Sequence, residues 1–219
     1  MKKFLTLFII LLLTPFFIFA KNDNNNLANP LNGKAVFFSK NGDVTPLDVK
    51  VNYTLQSNSV LFKDKNLSVE FETILPNNLL NSYSGSISGD NMDAYVKAWA
   101  RLNYNHNGGK YLVTSVEGNW RAYNDLDRHV EMRNTHCLVA CNSSPDGGPT
   151  DQLVDVGVGI PFVYNTWFSR FADSNDFFVA IGTNTFVDVY NMSSFRGTLM
   201  LHLPIKLSSG VDMTSFTER

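Results

Sequence analysis

Residues 93–118, DAYVKAWARLNYNHNGGKYLVTSVEG, decide the fold class of this chain. Ala94, Val96, Ala98, Ala100, Leu102 and Tyr104 fall on alternate positions, with Asp93, Tyr95, Lys97, Trp99, Arg101 and Asn103 between them. Alternation of this kind buries one face of a β-strand, because successive side chains point to opposite sides of the backbone. The alanines are the one argument for a helix, and the unbroken period of two outweighs them. The segment NHNGG at 105–109 then supplies glycines where a tight hairpin needs a left-handed backbone, and KYLVTSVEG reads as the returning strand.

The same period extends in both directions. Leu47, Val49, Val51, Tyr53 and Leu55 alternate with Asp48, Lys50, Asn52 and Thr54, and Leu67, Val69 and Phe71 alternate with Ser68, Glu70 and Glu72. Short strands are expected near 119–124, 128–134, 153–158, 176–181 and 185–190, and a clearer one over 198–207. Pro204 has no N–H for a ladder, which predicts that this last strand lies at an edge or has its end exposed there. About ten or more short strands without alternating helices describe an all-β fold, an antiparallel β-sandwich or distorted barrel. Residues 34–219 are read as a single β-rich domain, with the Pro-, Asn-, Gly- and Ser-rich stretch near 76–92 as the candidate internal boundary.

The N-terminus gives the expected address. Residues 1–20, MKKFLTLFIILLLTPFFIFA, have the layout of a signal peptide: two lysines, an apolar run and Ala20 before the polar KNDNNN. The run is short of the roughly 20 apolar residues needed to span a bilayer and is broken by Thr14-Pro15. Cleavage after Ala20 is expected to leave a flexible Asn-rich lead-in over 21–33 and no stable membrane span. The protein is therefore read as secreted and extracellular, or periplasmic in a bacterium. A formal charge of −2, with two of the lysines in the leader and no Lys/Arg cluster, argues against nucleic acid as a partner. Asn52, Asn66, Asn142 and Asn191 begin Asn-x-Ser/Thr sequons, which are glycan acceptors only in a eukaryotic secretory pathway.

Cys137 and Cys141 are the only cysteines. An exported chain with one pair is expected to join them. Extended residues four apart are separated by about 13 Å, and a disulfide needs Cα atoms within about 7 Å. A bond therefore predicts a bend over 137–141. His136 with two thiols falls short of a closed zinc site.

Two clusters carry candidate chemistry. In DLDRHVE, Asp127, His129 and Glu131 project from one face of a strand, where a His-x-Glu pair with a nearby carboxylate could hold a metal or act as base and orienter. Tyr95, Lys97, Trp99 and Arg101 share the less apolar face of the 93–104 strand, where flat rings beside cationic donors suit a sugar or an anionic group. Trp120 and Trp167 are further aromatic candidates that the sequence does not place. No nucleophile elbow, H-E-x-x-H or dinucleotide fingerprint is present, so no cofactor is implied. The pattern favours a non-enzymatic secreted β-sandwich protein for adhesion, ligand binding or surface structure, with a glycan or protein ligand at the cell surface as partner. Two other classes stay open: a secreted hydrolase or metal-dependent enzyme using Asp127, His129 and Glu131, and a β-rich secreted toxin inserting the 93–117 hairpin.

Overall fold

The computed structural model describes residues 33–56, 65–80, 95–123, 129–145 and 152–207. The expected leader, nearly all of the lead-in, most of the 76–92 stretch and Asp127 lie outside the described residues. The elements in order are β1 (Lys34–Ser39), β2 (Val44–Leu47), β3 (Val49–Gln56), β4 (Lys65–Pro76), a single helical turn α1 (Asn77–Leu80), β5 (Tyr95–Asn107), β6 (Lys110–Tyr123), β7 (Val130–Ser144), β8 (Leu153–Gly157), β9 (Phe162–Asn165), β10 (Ala172–Asp173), β11 (Phe178–Asn191) and β12 (Ser194–Leu207).

The strands form two antiparallel six-stranded sheets. The first runs β2-β1-β12-β11-β7-β8; the second runs β10-β6-β5-β4-β3, with β9 also paired to β6. Their inner faces share one apolar core, drawn from both sheets: Phe37, Cys137, Val139, Ile181, Val187, Leu199, Leu201 and Leu203 from the first, and Val69, Phe71, Val96, Leu102, Val116 and Trp120 from the second. The molecule is an all-β sandwich. A second apolar cluster of Leu138, Ala140, Ala180, Phe186 and Met200 lies on the opposite face of the first sheet, where alternation along each strand places it.

The alanines that argued for a helix are explained by packing. Ala98 lies between Thr73 and Trp120, and Ala100 between Phe71 and Gly118, on the ladders of β5. Small side chains there leave room for the indole of Trp120 and the ring of Phe71, each about 1% exposed. Phe162 of β9 stacks on Trp120 with ring centroids 5.4 Å apart. It also covers Gly118, where a Cβ would come within 2.5 Å of the Phe162 ring. A bare backbone at 118 lets β9 close that side of the core.

Three sequence expectations change. The Cys137–Cys141 disulfide is not formed: both cysteines are free and buried. The expected bend is absent because β7 stays extended from Val130 to Ser144, paired to β11 across Cys137 and Cys141 alike. Ladder hydrogen bonds on both sides of β7 keep the segment extended, with the two Cα atoms roughly 13 Å apart and beyond the reach of a disulfide. Second, β12 is interior, between β1 and β11. Pro204 is tolerated because β1 pairs only with Gly197–His202, and the β11–β12 register slips at Ile181/Gly182 opposite it. Third, the strands expected at 176–181 and 185–190 are one strand, β11, whose polar Thr183, Asn184 and Thr185 are all buried. That polar interruption broke the apolar pattern without breaking the ladder.

The buried thiols are held by hydrogen bonds. The Cys137 Sγ and the Thr183 hydroxyl are 3.2 Å apart, and the Cys141 thiol donates to the Tyr111 carbonyl at 3.3 Å. Burial pushes the Cys137 thiol up to about 12, against the smaller opposing effect of the Thr183 hydroxyl, and raises Cys141 as well. An unfolded thiol ionises near pH 9.0, whereas the folded ones stay neutral. The stability that the neutral thiols contribute is therefore full below about pH 9 and is lost as pH rises through about 12. Alkylation without reductant should modify both cysteines in denaturant and neither in the folded protein, and unfolding midpoints should drop steeply above pH 9.0. A disulfide found by mass spectrometry would contradict the extended β7.

The β11–β12 hairpin carries local strain. Its two linking residues, Met192 and Ser193, hold φ values of 49° and 60°, a left-handed geometry that costs non-glycine residues. Two-residue hairpins of this shape favour Asn-Gly. Replacing Met192 by Asn together with Ser193 by Gly should stabilise the protein by about 1 kcal/mol in urea unfolding.

Candidate functional site

The outer face of the second sheet is built row by row from β4, β5 and β6. On β5, Val96, Ala98, Ala100 and Leu102 are fully buried inward, which turns Tyr95, Lys97, Trp99, Arg101 and Asn103 outward. Backbone register sets their neighbours. Lys97 faces Ile74 and Arg121; Trp99 faces Glu72 and Asn119; Arg101 faces Glu70 and Glu117. Tyr95 and Tyr123 end the array as a stacked pair, with centroids 5.1 Å apart.

Charge on this face is paired before any ligand arrives. Lys97 Nζ lies 2.5 Å from Glu72 Oε2, and Arg101 contacts Glu70 at 2.6 Å and Glu117 at 3.5 Å. The hydrogen bond that the Lys97 ammonium donates to Glu72 keeps it protonated, above its ordinary range. Asn103 donates to Ser115 and Glu117 at 2.8 and 2.7 Å, so the Glu117 carboxylate is oriented from two sides. Arg101 also lies over the Trp99 ring at 5.6 Å. Arg121 is exposed, rests over Tyr123 at 5.2 Å, and forms no ion pair among the described residues. Glu70, Glu72, Lys97, Trp99, Asn119, Arg121 and Tyr123 enclose a shallow concavity of about 230 Å³. A wider groove of about 700 Å³ lies where β2 hands over to β3, but no aromatic ring lines it.

The structure thus brings Tyr95, Lys97, Trp99 and Arg101 onto one outward face, as their alternation predicts. Glu70, Glu72, Asn119, Arg121 and Tyr123 join them across the ladders, a grouping that alternation along single strands does not reveal. Trp120 points into the core. Trp167 is 57% exposed on the loop between β9 and β10 and does not line the concavity.

The second candidate cluster is less complete. His129 and Glu131 are exposed at the start of β7, and Asp127 lies outside the described residues. Glu131 is engaged by Arg133, whose guanidinium lies over Tyr190 at 4.7 Å. Among the described residues, no three His, Cys, Asp or Glu side chains converge as a metal-binding group. His136 turns away from both cysteines, since alternation along β7 sends it to the opposite face. There it lies 3.0 Å from Asp155 and stacks on Phe186. No described helix is long and apolar enough to cross a membrane.

Further exposed apolar side chains follow no periodicity. Leu153, Ile160, Val163, Trp167, Phe171 and Phe177 are exposed on or beside β8, β9 and β10, with Phe177 80% exposed. The loop bearing Trp167 and Phe171 is braced from beneath by buried Gln152, whose amide donates to the Cys141 and Arg170 carbonyls and accepts from the Ser169 and Arg170 N–H groups. Thr166 adds hydrogen bonds to the Val113 and Thr114 carbonyls. No protein-family model, curated protein or solved structure matches this chain.

Proposed function

We propose that this is an exported, non-enzymatic β-sandwich that binds a glycan on the outer face of its second sheet. The observation that carries the reading is the concavity in which Trp99 stands among ion-paired Glu70, Glu72 and Lys97, with Arg121 and Asn119 alongside. A pyranose has an apolar C–H face that stacks on an indole and an edge of hydroxyls that bridge carboxylate and cationic donors. Cations Lys97, Arg101 and Arg121 balance carboxylates Glu70, Glu72 and Glu117, which favours a neutral sugar over a strongly anionic ligand. Pairing within the sheet also fixes these side chains before binding, so little rotamer entropy is lost when the ligand arrives.

The exposed aromatic flank supports a second reading, attachment to a membrane surface. Trp167 and Phe171 on a braced loop, with Phe177 on the neighbouring β10–β11 connection, suit the bilayer interface, where an aromatic ring meets both lipid and water. The 93–117 hairpin is poorly suited to insertion, because β5 and β6 are bonded on both sides within the sheet.

A glycan array of the purified protein should show specific binding, and Trp99→Ala and Arg121→Ala should each weaken it about tenfold or more, a change of roughly 1.4 kcal/mol. Their thermal midpoints should stay near that of the unaltered protein, since both side chains face outward. Equal binding by Trp99→Ala would rule out the concavity as the site. For the second reading, co-sedimentation with phosphatidylcholine vesicles should occur and be lost in a Trp167→Ala, Phe177→Ala double variant. Protein left wholly in the supernatant would exclude it.

A further inference from the structure

We propose that two copies of this chain associate through β3, joining their second sheets into one continuous sheet whose two concavities face the same way. β3 ends the strand order of its sheet and pairs only with β4 among the described residues. Its free edge therefore offers backbone N–H and C=O groups to another strand. Val51 and Tyr53 sit opposite Phe71 and Val69, so they point to the core side of the sheet. Yet they are 37% and 56% exposed. The facing edge of the first sheet is the four-residue β2, too short to cover them.

The sequence of β3 pairs with itself. In an antiparallel register centred on Asn52, Val51 of one copy meets Tyr53 of the other, twice. Aromatic and β-branched residues make favourable cross-strand partners. On the outer side Lys50 meets Thr54 and Asn52 meets Asn52, so no like charges oppose one another. A two-fold axis normal to the sheet is the closed symmetry such a contact requires. It keeps both outer faces on one side and sets two Trp99 concavities toward a common surface. The bivalent binding that follows rests on the glycan reading; the dimer itself does not.

Sedimentation equilibrium on protein made without N-glycosylation tests the dimer, since a glycan on Asn52 would occupy the axis. The unaltered chain should sediment as a dimer, and a Val51→Lys, Tyr53→Lys double variant as a monomer with unchanged circular dichroism. Asn52→Cys should form a covalent dimer on oxidation that reduction reverses. A monomer at every concentration, or a dimer in the double variant, would overturn the proposal. A dimer that Asn52→Cys fails to cross-link would overturn the register. On a dense glycan surface the monomeric variant should bind at least tenfold more weakly, with unchanged affinity for soluble sugar. A dimer without glycan binding would sink the glycan reading and leave the dimer standing.

Discussion

One extra residue in β6 sets which side chains face the outer side of the second sheet. The hairpin at Gly108 and Gly109 pairs Asn107 with Lys110 and Tyr104 with Val113. Between Tyr104 and Asn103 the register slips, so Asn103 pairs with Ser115 and Thr114 is left as the bulge. The Thr114 hydroxyl donates to the Asn103 carbonyl at 3.1 Å, which ties the bulge to β5. Without the slip, Trp99 would lie opposite Gly118 and Lys97 opposite Trp120. The indole of Trp120 would then stand in solvent and the core would lose its largest buried side chain. A bulge shifts the face of every residue beyond it, because side chains alternate with a period of two.

From that constraint the two faces of the second sheet follow. Inward, small residues on β5 admit Trp120 and Phe71, and Phe162 closes over Gly118. Outward, acids from β4 and β6 flank the bases of β5. An isolated ion pair on a surface contributes little to stability. Here the pairs hold Arg101 between two carboxylates and hold Lys97 against Glu72, so their consequence is a fixed arrangement of donors and acceptors around Trp99. Burial treats the first sheet differently. Its cysteines are kept as thiols by strand geometry and are buried from solvent.

Much of this was legible residue by residue. Strand character over 94–104, the turn at 105–109 and the shared face of Tyr95, Lys97, Trp99 and Arg101 follow from alternation and turn chemistry. Even the bulge left a trace, since the core-facing apolar residues of β6 change phase between Val113 and Val116. Other elements were hidden for physical reasons. Buried Thr183, Asn184 and Thr185 make β11 look like two strands, and the partners of the first two, the Leu138 carbonyl and His202, lie on strands that local pattern does not reveal. Pro204 looks like an edge residue because the shortness of β1 appears only once strand order is known. The cysteine spacing allowed a bend, and only long-range pairing of β7 with β8 and β11 holds it straight.

The sequence by itself determined the all-β class and the faces of the individual strands, because each depends on local periodicity or composition. Tertiary structure decided which strands are neighbours and in what register. It thereby decided that Glu70, Glu72, Asn119, Arg121 and Tyr123 surround Trp99, and that Trp120 does not. Side-chain period is short-range and can be read along the chain. Strand order depends on how two sheets bury their combined apolar surface, and that balance belongs to the folded molecule as a whole.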